Sequence, residues 1–201
     1  MLAPEESIDE GECLFTARLC LMAPRPADAE AIASLADNPK VALNVGAMPH
    51  PYARADAIEW IERVTAAPAP CPSRAYLLRL GGPDGPVIGG AGYGSDAATG
   101  GVEIGYWIGE PFWGNGYATE AAQALVDCAF SHGVAEVGAC CRITNEASRR
   151  VLVKCGFQWE GSGMRHSRTL GGMVPIDRYR LDRKAWEALK AWSTSPVPAH
   201  A

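Results

Sequence analysis

No Cys-x-x-Cys pair occurs in this chain, although it has seven cysteines: Cys13, Cys20, Cys71, Cys128, Cys140, Cys141 and Cys155. An odd number without that spacing builds neither a disulfide framework nor a zinc site, so no metal is expected. Several of these cysteines stand in apolar runs, where the thiol acts as a small hydrophobe. Free thiols fit a reducing cytoplasm. No apolar run approaches the length of a membrane span, so no membrane partner is expected. The acidic opening, Met1 to Glu12, lacks a basic start and an apolar stretch and does not read as a signal peptide. Positive charge is not in excess either. Lys and Arg total 18 against 23 Asp and Glu, a formal charge of −5. That balance argues against non-specific nucleic-acid binding and suits a soluble protein.

What is present is a core-forming sequence of 201 residues, 48% of them hydrophobic. Its length fits one domain with short tails. Residues 1–12 and 193–201 read as flexible segments around a domain at 13–192. Cys13 to Met22 reads as a strand, and Asp28 can cap a helix running to about Ala36. Residues 39–53 read as irregular, with three prolines. Arg54 to Ala67 has apolar residues near helical spacing. Strands follow at 75–80, 87–93 and 102–108, the first two joined by the Gly81–Gly85 turn. A helix at 118–132 is closed by Gly133. Then come a buried strand at 135–143, a helix at 145–155, late strands at 157–163 and 175–181, and a terminal helix at 182–192. That order is α+β on one mixed sheet.

Between the strand ending at Ile108 and the helix near Thr119 stands Trp113-Gly114-Asn115-Gly116-Tyr117-Ala118. Strand, glycine turn and helix together build an anion site. Glycines let backbone approach a phosphate, and the helix presents free N–H groups and partial positive charge. A Walker-type loop would end Gly-Lys-Ser or Gly-Lys-Thr, and no lysine is present. A dinucleotide fingerprint would put a third glycine at Thr119. Two readings remain: a diphosphate loop of the form Arg/Gln-x-x-Gly-x-Gly/Ala, and a plain glycine-rich turn.

Downstream lies Asn145-Glu146-Ala147-Ser148-Arg149-Arg150, continuing to Cys155-Gly156-Phe157. With Glu103-Ile104-Gly105-Tyr106-Trp107-Ile108 and the glycine turn, this segment resembles the GNAT superfamily of N-acetyltransferases. Thr16 to Leu21, Ala57 to Val64 and Asp177 to Leu181 carry the likeness toward its RimJ/RimL-type branch. The resemblance implies a mixed, mostly antiparallel sheet of about seven strands, splayed between the fourth and fifth, with helices on both faces. It implies N-acetylation of a primary amine by direct attack on acetyl-coenzyme A. The alternative is a non-catalytic coenzyme A-binding or regulatory module.

By this likeness Gly114, Asn115, Gly116, Tyr117, Ala118 and Thr119 would cradle the diphosphate, mainly through backbone N–H groups. Trp113 stands where relatives carry arginine or glutamine, and Asn115 where lysine is common. The pantetheine arm would lie along Tyr106, Trp107 and Ile108 as an added strand. Asn145 would bond that arm, and as the residue opening a helix it is also a natural N-cap. Many relatives place a tyrosine acid at the position of Leu152, so Ser148 becomes the candidate partner of the departing thiolate. A first-turn serine can also be satisfied by backbone. Glu103 on the splayed strand is the first candidate base, and His166, placed in a loop at 165–168, the second. Capture of a neutral amine without a dedicated base is the third option. Residues 39–56 and 164–175 would wall the acceptor site, where Arg54, Arg165 and Arg168 could meet an acidic group. The partner is a small-molecule amine or a protein N-terminus, and a homodimer is compatible with the sequence.

Overall fold

The computed structural model describes residues 13–66, 73–96 and 99–194. One eight-stranded sheet organises them. Its strands are β1 (Leu14–Phe15), β2 (Leu19–Met22), β3 (Arg74–Leu80), β4 (Val87–Ser95), β5 (Val102–Ile108), β6 (Glu136–Arg142), β7 (Gln158–Ser167) and β8 (Gly172–Asp182). They lie side by side in the order β1-β2-β3-β4-β5-β6-β8-β7. All neighbours are antiparallel except β5 and β6, which run parallel. The helices are α1 (Ala29–Ala36), α2 (Pro39–Ala42), α3 (Arg54–Ala66), α4 (Tyr117–Ser131), α5 (Glu146–Lys154) and α6 (Arg183–Thr194).

Both faces of the sheet are covered, and the sequence of β3 shows why. Tyr76 and Leu78 enter one core, while Leu77 between them enters the other. Successive strand side chains point to opposite faces, so a strand buried on both sides is apolar throughout. The larger core packs α4 through Ala121, Ala122, Leu125 and Ala129, spaced to fall on one side of a helix. Leu152 of α5 joins it. The smaller core gathers Ile32 of α1, Val41 of α2 and Ile61 of α3 against Leu77 and Val87. Helix α6 docks late: Trp186 stacks 5.0 Å from Phe130 and bonds Asp127 at 2.7 Å.

The expected splay is present. β5 and β6 pair only at Val102↔Val137, Glu103↔Gly138 and Ile104↔Ala139. Beyond that point β5 continues to Ile108 and β6 to Arg142 without pairing to each other. These two strands are the fourth and fifth of the sequence reading.

Four details differ from it. The single strand expected at 13–22 is two strands, because Thr16 Oγ1 and Arg18 both bend toward Glu120 on α4. That raises the strand count from about seven to eight. Residues 39–53 contain the one-turn helix α2, opened by Asn38, whose side chain accepts from the Lys40 N–H at 2.9 Å. The segment around His166 is strand rather than loop, since β7 and β8 pair from Gln158↔Arg180 out to Ser167↔Gly172. Helix α6 runs to Thr194, two residues past the expected end. The segments expected to be flexible, 1–12 and the remainder of the tail at 195–201, lie outside the described residues.

Candidate active site

The glycine turn is built to leave backbone donors free. Gly114 has φ +80° and Gly116 φ +81°, a left-handed conformation that side chains disfavour. Gly116 caps α4, its carbonyl accepting from the N–H groups of Thr119 and Glu120. Among the described residues no acceptor meets the N–H groups of Gly114, Asn115, Gly116, Tyr117 or Ala118. A Cβ added at Gly114 would meet nothing within 4 Å, so that side of the turn is open.

Two exposed side chains of the turn brace it by hydrogen bonds. Trp113 Nε1 donates to the Ile108 carbonyl at 2.6 Å, and Asn115 Nδ2 donates to the carbonyls of Phe112 and Trp113 at 3.2 and 3.1 Å. A cation does reach the turn, from a distant strand. Arg18 donates through Nη1 to the Asn115 carbonyl at 2.9 Å and through Nε to Glu120 at 2.7 Å, and lies 4.6 Å over the Tyr117 ring. Burial alone would raise the Glu120 pKa. The bonds from Thr16 and Arg18 outweigh it and hold the carboxyl below its ordinary value.

At the splay, side chains from β5 and α5 converge. Asn145 Oδ1 accepts from the Ser148 N–H at 3.1 Å, an N-cap that fixes the first turn of α5. The Ser148 hydroxyl meets the Tyr106 hydroxyl at 3.0 Å. Burial drives the Tyr106 pKa well above the usual phenol range, and its bond to Ser148 offsets only part of that. The phenol therefore stays protonated at neutral pH. Trp107 points to the opposite face, into the smaller core. Its Nε1 lies where a Cβ on Gly90 would come within 2.6 Å, so β4 must carry glycine there.

On that opposite face Glu103 is held by a two-pronged ion pair. Arg165 donates through Nη1 and Nη2 to its two oxygens at 2.6 and 2.8 Å and also pairs with Asp96 at 3.3 Å. The Cys140 thiol donates to Glu103 at 3.3 Å. Burial, then the Glu103 charge, pushes that thiol up to about 12. His166 follows Arg165 on β7, so strand alternation turns it to the other face, and it is exposed.

A cleft of about 980 Å³ connects these parts. Ser148, Glu103, His166 and all the expected cofactor residues line it except Asn115. It passes through the sheet at the splay. One mouth lies at the glycine turn and α5, on the face of the larger core. The other lies among residues 43–47 and 165–168, on the face of the smaller core. The two segments expected to wall the acceptor are stitched together there. Arg168 N–H donates to the Gly46 carbonyl at 2.9 Å and Thr169 Oγ1 to that of Met48 at 2.8 Å, while from β6 Arg142 Nη1 donates to the Leu43 carbonyl at 2.9 Å.

The model of an acetyltransferase (GNAT) domain matches residues 18–158, which include the glycine turn, both splayed strands and α5. The chain belongs to the GNAT acetyltransferase family. It is an acetyl-coenzyme A-dependent N-acetyltransferase. The uncharacterized N-acetyltransferase p20 of Bacillus licheniformis is 26% identical over 177 residues, 87% of this chain and 98% of p20. The uncharacterized N-acetyltransferase YoaA of Bacillus subtilis is 46% identical over 61 residues, 30% of this chain and about a third (34%) of YoaA. Among solved structures, RimL, a ribosomal L7/L12 alpha-N-protein acetyltransferase in complex with coenzyme A, shares the fold with a TM-score of 0.73. Its identity is 20%, over 87% of this chain and 99% of that one.

Two contacts at this candidate site escape a reading of the sequence. Arg18 reaches the turn from 97 residues away. Tyr106, expected only as a surface along which the donor lies, also presents its hydroxyl to Ser148. Its position on the splayed strand was the available signal. Among the described residues no three His, Cys, Asp or Glu side chains gather to hold a metal ion, and no helix is long and apolar enough to cross a membrane.

Proposed function

We propose that the acceptor is a primary amine, on a protein N-terminus or a small molecule, which attacks the donor directly while both substrates are bound. The observation that carries this reading is the cleft through the splay, with free N–H groups at one mouth and a carboxylate–arginine cluster at the other. RimL, whose fold this chain shares, acts on a protein N-terminus, which supports that class of acceptor. A cytoplasmic location fits the six free cysteines among the described residues.

In this reading the N–H groups of residues 114–118 bind the diphosphate, aided by the positive end of α4. Arg18 adds charge and holds the turn in shape. Acetyl-coenzyme A supplies an activated acetyl thioester. The unpaired edge of β5 near Tyr106 to Ile108 offers backbone groups to the pantetheine arm and an N–H to polarise the carbonyl. Asn145 orders the first turn of α5. The Tyr106 and Ser148 hydroxyls together hold a proton for the leaving sulfur, so Ser148 keeps its expected role and shares it. Glu103, although paired, keeps one lone pair on Oε2 free to take the amine proton through a water. His166, exposed and turned to the face opposite Glu103, remains the second candidate along the cleft.

The test is release of free thiol from acetyl-coenzyme A with a panel of amines between pH 6 and 9, for wild type and Glu103→Gln. Amine-dependent release is expected, with Glu103→Gln most impaired at neutral pH and partly restored at high pH, where free amine is abundant. Coenzyme A binding without amine-dependent release would overturn the reading. Identical pH profiles would remove Glu103 as base.

A further inference from the structure

Next to the cleft, on the face of the sheet that carries Glu103, lies a second cavity of about 550 Å³. It shares Asp96, Glu103 and Arg165 with the cleft, so the two are neighbours with the Glu103–Arg165 ion pair between them. Its floor is low because Gly138 of β6 puts no side chain there. Its walls are charged: Asp96, Glu103, Glu136 and Glu160 against Arg165, Arg178 and Arg180.

Pairing accounts for most of these charges. Arg165 holds Glu103 and Asp96. Arg180 holds Glu136 at 2.6 Å and Glu160 at 3.5 Å. Each carboxylate named above therefore already has an arginine. Arg178 does not have a carboxylate. Among the described residues it makes no ion pair and no hydrogen bond, and its Nε is shut off from solvent without a partner. The fold makes room for it across the hairpin. A Cβ at Gly163 would stand 3.4 Å from both Nε and Nη2, so glycine on β7 lets the guanidinium lie flat there. With Nε shut off, the Nη groups are the donors this guanidinium has left for a carboxylate. A guanidinium left unpaired beside a cavity is a ready anion receptor.

The position of Arg178 relates it to the chemistry. It is opposite Cys140 on the neighbouring strand, and the Cys140 thiol touches Glu103. Adjacent strands are about 4.8 Å apart, so Arg178 stands roughly one strand spacing beyond the edge of the splay.

We propose that this cavity binds a carboxylate of the acceptor through Arg178, so that the preferred acceptor is an amine that also carries a carboxylate. The inference rests on the splay being the site of transfer. With the carboxylate held on Arg178, the amine falls a few bonds away, toward Glu103 and the opening between β5 and β6. A free amino acid and a peptide whose first residues include an aspartate both present this chemistry.

The experiment measures binding and turnover side by side. Probes come in matched pairs: β-alanine with β-alaninamide, L-aspartate with L-asparagine amide, and Ser-Asp-Gly amide with Ser-Asn-Gly amide. Affinity is read by thermal shift and calorimetry, and turnover by thiol release. At least one carboxylate probe is expected to bind tenfold or more tightly than its neutral partner. Arg178→Gln should erase that difference while leaving coenzyme A binding unchanged. Gly163→Leu, which crowds the guanidinium without removing it, should do the same, and coenzyme A binding reports that both variants are folded. The third pair separates a peptide acceptor from a free amino acid. Equal affinity within every pair, or a preference that persists in both variants, overturns the inference. Carboxylate-selective binding without turnover would instead overturn the proposed transfer site and leave the receptor standing. Turnover without selectivity would do the reverse.

Discussion

Tyr106 and Ser148 show how much one hydrogen bond can decide. Their hydroxyls are 3.0 Å apart, and burial keeps the phenol protonated far above neutral pH. A buried proton beside a departing thiolate lowers the cost of breaking the carbon–sulfur bond, and general acid help of this kind is worth roughly 10²–10⁴-fold. Tyr106→Phe and Ser148→Ala should each lower kcat within that range with little change in the KM for acetyl-coenzyme A. Because the two hydroxyls act through one hydrogen bond, the double variant should lose little more than the worse single one. Unaltered kcat in both single variants would reduce the pair to packing.

At the scale of elements, the informative one is the passage from β5 into α4. Sequence reading placed this helix within a residue of its observed start, and the strand before it in full, because both have clean apolar periodicity. The glycines of the turn between them leave two readings, a diphosphate loop and a plain turn, and only the resemblance of the downstream segment favours the first. Gly116 holds φ +81°, which costs another residue about 1–2 kcal/mol before any ligand is considered. Gly116→Asp also places a carboxylate where the diphosphate must approach. Thermal stabilisation by coenzyme A, expected in wild type and absent with NAD or ATP, should vanish in this variant. A full shift would show that the turn is not the diphosphate site. What stayed illegible has physical causes. The β1–β2 break depends on Thr16 and Arg18 meeting Glu120 across 102 or more positions. α2 is too short to show a period. β8 begins at Gly172, before a proline that reads as a strand start, and Pro175 is tolerated because it lies just past the last β6 pair, Arg142↔Ile176. His166 was therefore set in a loop when it belongs to the hairpin. The ion pair that holds Glu103 comes from Arg165, 62 residues on, and no local pattern encodes such a partner.

Across the whole molecule, the network around Glu120 joins the sheet's first bend to α4, and its protonation state reaches into global stability. The folded carboxyl titrates below its ordinary value of 4.5. A depressed carboxylate contributes stability that is complete above the unfolded pKa and is lost as the pH falls through the folded one. Glu120→Gln should therefore melt lower than wild type at pH 7. Hydrogen bonds to a charged group are worth about 1.5–3 kcal/mol, which for a domain of this size corresponds to roughly 4–8 °C. The gap should narrow as the pH falls below the ordinary value of 4.5 and close only once it passes the depressed folded pKa, where wild type also carries a neutral side chain. A difference that is constant from pH 7 to pH 3 would assign the loss to packing instead of charge.

A cleft that crosses the sheet separates two inheritances within one domain. In the proposed function the donor side draws mainly on residues 113–119 and 145–154 and the acceptor side on residues 40–48 and 165–178, with β5 between them serving both. Substitutions can therefore accumulate at one opening without disturbing the other. A lineage built this way can keep an old donor grip while exchanging one acceptor for another, and the unpaired strand edges between β5 and β6 are the shared threshold across which every such variant must work.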